Sequence, residues 1–169
     1  MAMYPIGSKV VHPCYGAGIV VRIQEKSIGE NSHFYYIIKT KSKSMQLMVP
    51  VQRAQSLGLR TVGDLQELRE TLLDHCTTPC EDEINRDLRA RQELMREQLK
   101  SGSYGEVASV VRILFFMNSQ RSLGTIDRQL LDQGKELLAS ELALAADAEI
   151  SEAMQEIESN LGRMLAKEQ

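Results

Sequence analysis

The sequence predicts a segregated α+β fold, with a small β module followed by an all-helical one. Three observations carry this reading. Short β-branched and aromatic runs separated by turn formers fill residues 6–50 and then stop. From Asp64 onward, apolar residues recur every three or four positions. Charge divides near the same place: residues 1–60 carry eight Lys/Arg against two Asp/Glu, a net +6, and residues 61–169 carry twelve against twenty-one, a net −9. Opposite signs on two halves predict two modules with different surfaces, at 1–60 and 61–169.

The β module reads in order. VVHP (10–13) is a short first strand, and Pro13, which has no N–H to give a ladder, belongs at its end. Gly16 and Gly18 flank Ala17 where a sharp corner needs positive φ or close backbone approach, and the Tyr15 ring suits the end of a small barrel with its hydroxyl in water. AGIVVRIQEK (17–26), HFYYIIKT (33–40) and SMQLMVP (44–50) follow as strands. SIGENS (27–32) and TKSKS (40–44) supply the hairpin turns. Four or five such strands make an SH3-like barrel, in which His12 and Cys14 are corner residues. Alternation along the last strand sends Met45, Leu47 or Met48 outward.

Five helices are expected in the second module. Leu65, Leu68 and Leu72 define the first, over Asp64–His75. TTPCEDE starts the second, with Thr78 as cap, Pro79 in the first helical position and Glu81 completing a capping box; it runs to Lys100 on the stripe Ile84, Leu88, Met95, Leu99. Ser103 and Glu106 form a box that opens the third, about 104–118, whose VASVVRILFFM is apolar nearly all round, as in a central helix. Thr125 caps a fourth that continues to Leu144, and Ile150, Met154, Ile157, Leu161 and Met164 mark a fifth. LGLRTV (57–62) is too short for a free linker, so the modules should touch.

Composition narrows the function classes. An apolar content of 43% supports a packed core, and no apolar run approaches the ~20 residues of a membrane span. The start, MAMYPIGSK, lacks the charge and apolar stretch of a secretion signal, so a soluble cytoplasmic chain with no membrane partner is expected, as a monomer. Cys14, Cys76 and Cys80 are odd in number, and their C-x3-C spacing fits zinc knuckles poorly; free thiols, no metal and no cofactor are expected. No nucleophile–base pair, phosphate loop or carboxylate dyad points to an enzyme. On the second helix Arg86, Arg89, Arg96 and Lys100 share a face that Glu93 interrupts. Such a face can meet phosphates, although a solvated face with i, i+4 ion pairs is its commoner role.

The order of parts, with IGSKVVHPCYGAGIV opening the barrel, MVPVQRAQSLGLR ending it, and LKSGSYGEVASVVRIL followed by SLGTIDRQLLDQGKELLASELALA in the bundle, resembles the CarD/CdnL family of bacterial transcription regulators, from about Ile6 to Ala145. The resemblance implies a Tudor-like N-terminal domain that docks on the RNA polymerase β subunit. It also implies a helical domain that meets promoter DNA at the upstream edge of the transcription bubble and stabilises the open complex. Localisation would then be with the nucleoid, through the polymerase.

Carried over by position, the β-subunit contacts are Lys26, Ile28, Gln46, Met48 and Pro50, with Met48 standing where some members have Arg. The DNA contacts expected are Leu88, by position, and a local basic patch of Arg86, Arg89 and Arg91, with Arg121 or Arg128 beside it. The family places a Trp thirteen residues before the S-G that ends this helix; counting back from Ser101 gives Leu88, in a chain without Trp. Leu88 can act as an apolar wedge, or belong to the inward stripe with Ile84 and Met95. The acidic balance of this half leaves a second role open, in which the helical module meets another protein and the chain is a docking adaptor.

Overall fold

The computed structural model describes residues 3–167. Five strands, β1 (Lys9–His12), β2 (Gly16–Ile28), β3 (Asn31–Thr40), β4 (Gln46–Pro50) and β5 (Arg60–Thr61), form one antiparallel sheet in the order β4-β3-β2-β1-β5. Five helices follow: α1 (Leu65–His75), α2 (Leu88–Leu99), α3 (Tyr104–Gln120), α4 (Thr125–Ala146) and α5 (Ile150–Ala166). The segregated α+β architecture is the one the sequence predicts.

Alternation gives the sheet two faces. Val20, Ile23, Tyr36, Ile38, Leu47 and Val49 point to one side, where they bury the barrel core with Tyr4, Val10 and Leu59. The Tyr4 hydroxyl donates to the Leu59 carbonyl at 3.1 Å, so the buried phenol is satisfied. A register shift between Val20 and Arg22 is a bulge that bends β2 across both halves of the sheet. The β2–β3 hairpin is longer than expected. Ile28 pairs with Asn31, leaving only Gly29 and Glu30 at the tip, so most of SIGENS is strand. β5 was not foreseen; it pairs Arg60 and Thr61 with Val11 and Val10, and the boundary expected at 60/61 falls inside it.

Part of the other sheet face packs on α4. Val11 and Ala17 bury against Leu144, with Ile19 and Val62 alongside. Gly16, at φ +83°, brings the strand so close that a Cβ there would lie 2.8 Å from Ser140 Oγ. The Ala17 N–H donates to that oxygen at 3.1 Å. Lys9 closes the far end of the seam, donating to the Leu144 carbonyl at 2.8 Å and Asp147 Oδ1 at 2.7 Å where α4 terminates on left-handed Asp147. The opening corner therefore has two purposes. It turns β1 into β2, and it fits the barrel to the bundle, with Pro13 lodged beside Gly58 and Gly102. His12 Nδ1 accepts the Cys14 N–H at 3.1 Å within that corner, and Cys14 is exposed.

Helix starts follow the capping chemistry where the expectation was right. Asp64 accepts from the Glu67 N–H, and Ser103 from the Glu106 N–H, but the expected Ser103–Glu106 box is only half made: the Ser103 N–H goes to Ser101 Oγ at 3.2 Å, and the Glu106 carboxylate accepts from Gln98 at 3.0 Å. The second helix needs correction. TTPCEDE forms a single 3-10 turn, Glu81–Glu83, whose box is made by Cys80 and Glu83 rather than Thr78 and Glu81. The chain then breaks, because Asn85 Oδ1 takes the Asp87 N–H and Asp87 caps a fresh helix through the Ala90 N–H. α2 thus starts at Leu88. On α4 the cap is Gly124, and Thr125 is the first helical residue.

Candidate functional site

The register decides where the five β-module residues stand. Cross-strand partners share a face. Arg22 pairs with Ile37 and Ile37 with Met48; Gln24 pairs with Tyr35 and Tyr35 with Pro50; Lys39 pairs with Gln46; Lys26 pairs with His33, and Ile28 with Asn31. Lys26, Ile28, Gln46, Met48 and Pro50 therefore lie on one face, the same face that α4 covers further along. Beyond α4 most of this face is exposed or half-buried, with Ile37 buried between Arg22 and Met48. β4 is its free edge, Met48 is 43% exposed and Ile28 is 69% exposed. Arg22, Lys26 and Lys39 stand among them, so the surface is basic with apolar points. Phe34 is also exposed but points to the opposite side of the hairpin.

The second surface is the free end of α2. Leu88 is 55% exposed, which corrects its placement in the core stripe. By angle it does continue the line of Met95 and Leu99, both buried. The line runs past the end of the bundle, and among the described residues nothing covers more than part of its first residue. Arg86 and Arg89 flank Leu88 and are exposed. Arg86 has only a long, solvated contact with Glu81 at 3.7 Å. Arg121 and Arg128 are exposed as well.

Arg91 is different, and its placement among surface contacts is corrected. It is 7% exposed, with Nη2 donating to Asp127 Oδ2 at 2.7 Å and Nη1 to the Asn85 carbonyl at 3.2 Å. Gln92 donates to the other Asp127 oxygen at 3.1 Å. Arg91 thus ties the loop before α2 to the start of α4 and holds the end of the helix that presents Leu88 and Arg89.

Two further ion pairs fix the parts. Arg112, buried in α3, donates to both Glu83 oxygens at 3.0 Å and to the Thr77 carbonyl at 2.5 Å, which staples the 75–87 connection to the bundle. Those bonds and the Cys80 N–H hold the Glu83 carboxyl down at about 2. Between the modules, Arg60 grips buried Glu141 with Nη1 to Oε1 at 2.6 Å and Nη2 to Oε2 at 2.8 Å. Glu141, Asp127 and Ser140 were not singled out from the sequence. Their partners lie 81, 36 and 123 residues away, beyond any local pattern.

Among the described residues no three His, Cys, Asp or Glu gather as metal ligands, and Cys14, Cys76 and Cys80 are unpaired. Burial raises the Cys76 thiol. Among the described residues no helix is long and apolar enough to cross a membrane.

A small antiparallel barrel clamped to a five-helix bundle defines a two-module architecture, and comparison with known proteins assigns it. Residues 4–63 match the family described as CarD-like/TRCF RID domain, and residues 72–158 match CarD, C-terminal domain. The candidate transcription factor YdeB of Bacillus subtilis (strain 168) is 31% identical over 140 residues, covering 83% of this chain and 90% of that one. The chain belongs to the CarD family of transcription regulators, and its barrel is Tudor-like.

Proposed function

We propose that this chain docks on the β subunit of RNA polymerase through the open sheet face and stabilises the promoter open complex through the free end of α2. The observation that carries the docking half is the shared face of Lys26, Ile28, Gln46, Met48 and Pro50, at an unpaired strand edge. A free edge offers backbone donors and acceptors to a partner, and exposed Met48 offers an adaptable apolar contact. The basic neighbours fit an acidic partner surface.

The DNA half assigns Leu88 as an apolar wedge at a minor-groove step, with Arg86 and Arg89 on phosphates. Arg91 is the positioning residue behind them. Domain limits of 1–60 and 61–169 describe the two roles, with β5 as the shared boundary strand. The chain would act as a monomer, at the nucleoid through the polymerase and without catalysis of its own.

The test is capture of a polymerase β-subunit fragment by the intact chain and by a Lys26→Glu, Met48→Glu variant. Binding by the wild type and its loss in the variant support the docking surface; no binding by the folded wild type overturns it. The net charge of −9 on residues 61–169 favours a second reading, in which the helical module binds another protein and DNA contributes nothing. That reading expects equal affinity for polymerase with and without promoter DNA.

A further inference from the structure

A groove between α2 and α4, distinct from the Leu88 end, has a composition at odds with its module. It encloses about 220 Å³ and is lined by Arg96, Lys100, Ile126, Gln129 and Gln133 over a floor of Leu99 and Leu130. Residues 61–169 hold twenty-one acidic side chains, yet none lines this groove. Arg96 and Lys100 are exposed, one turn apart, and neither forms an ion pair among the described residues. The amides of Gln129 and Gln133 face them, also one turn apart. Two free cations and two neutral donors over an apolar floor suit a phosphodiester chain. Glu93 interrupts the α2 face only between Arg89 and Arg96, outside the groove.

The groove also leads somewhere. Gln133 lines a second depression, which reaches Ser42, Lys43 and Tyr15 on the β module. Lys43 crosses it to Glu136 at 3.6 Å, a long and solvated contact. The two depressions meet at Gln133, so the groove continues from α2 over α4 to the β3–β4 turn, where Glu136 lines it opposite Lys43.

We infer that the α2–α4 groove holds the phosphate backbone of one DNA strand, leading away from the Leu88 step toward the β module. The inference rests on the promoter-DNA reading and extends it to residues that reading does not use. Lys100 lies twelve residues beyond Leu88, about 18 Å along the helix axis, which corresponds to about five base pairs.

The experiment titrates the full chain onto RNA polymerase alone and onto polymerase carrying a forked promoter duplex, between about 50 and about 200 mM salt. Wild type is compared with an Arg96→Gln, Lys100→Gln variant and with Arg96→Lys, circular dichroism confirming the fold of each. Removing two phosphate contacts should lower the affinity for the DNA-bearing complex and leave binding to polymerase alone unchanged. Across that salt range the wild-type affinity should fall on the order of tenfold more than that of the variant. Arg96→Lys should follow the wild type. A Gln variant with the wild-type salt response overturns the groove while leaving the Leu88 contact standing, and so does an equal loss on polymerase alone. Wild type that binds both complexes equally overturns the promoter-DNA reading and the groove with it.

Discussion

Arg60 and Glu141 join the two modules by a forked ion pair, with both guanidinium nitrogens of β5 on both carboxylate oxygens of α4. The Gly63 N–H adds a third donor to Glu141 at 3.0 Å, and Arg60 Nε caps the Gly102 carbonyl at 2.8 Å. One arginine therefore holds α4 and the α2–α3 turn against the barrel. Glu141 is 2% exposed, so losing its partner strands a buried charge. Arg60→Met should cost about 3 kcal/mol in a urea titration, the lower end for a broken buried pair, because Arg60 keeps one-third of its side chain exposed. An Arg60→Met, Glu141→Leu double variant should cost less than the sum of the singles. Strict additivity would show that the pair does not couple the modules.

Gly16 sets the spacing of the same seam. At φ +83° an alanine is strained, and its methyl would meet Ser140 Oγ, the acceptor for the Ala17 N–H. Gly16→Ala should lower stability by about 2 kcal/mol, the backbone cost plus a displaced hydrogen bond. Gly29 has positive φ too, at the open hairpin tip with nothing within 4 Å. Gly29→Ala should therefore cost only about 1 kcal/mol. Equal melting temperatures for the two would count against a tight seam.

The elements legible in the sequence were those with local causes. Asp64 and Ser103 mark true helix starts, since a cap is written within four residues, although the Glu106 half of the expected box does not form. The same logic misplaced the second helix. TTPCEDE has every start signal, but Asn85 and Asp87 follow it, and their short side chains bind the backbone before the helix can propagate. β5 is two residues long, and its pairing with β1 is non-local, so no run announced it. Leu88 shows the limit of periodicity: its angle is that of a core residue, but where neighbouring helices end is not written in that angle. Arg91 fails the other way, as a charge whose partner Asp127 lies across the bundle and draws it inward. Lys26, Ile28, Gln46, Met48 and Pro50 share a face because alternation along a strand is local.

Glu83 predicts an acid-side signature. Its folded carboxyl sits at about 2, below the ordinary 4.5, because Arg112 and the Cys80 N–H favour the anion. A depressed carboxyl contributes stability that is fully present above the unfolded value and lost as pH falls through the folded one. The window is therefore pH 4.5 down to about 2. Wild type should lose melting temperature through that range more steeply than Glu83→Gln, which has no proton to take up there. Above pH 6 the two curves should run parallel, with the variant lower by the lost charge-assisted bonds to Arg112, about 1 kcal/mol after allowance for solvent screening. Parallel curves throughout would mean that Arg112 does not hold Glu83 ionised.

Leu88 offers the sharpest separation of stability from function. Its exposure means that Leu88→Ala should change unfolding free energy by no more than about 0.5 kcal/mol. Met95→Ala, seven residues on along the same line but buried, should cost about 2–5 kcal/mol. If Leu88 presses on a base step, the alanine variant should shorten open-complex lifetime on a promoter by roughly fivefold, the effect of about 1 kcal/mol of lost apolar contact. Leu88→Trp should lengthen the lifetime beyond wild type, because an indole at an exposed site adds apolar area without disturbing the core. Lifetimes unmoved by either change, with both proteins folded and still bound to polymerase, would remove Leu88 from the DNA contact. The exposed leucine would then belong to a protein interface on the helical module.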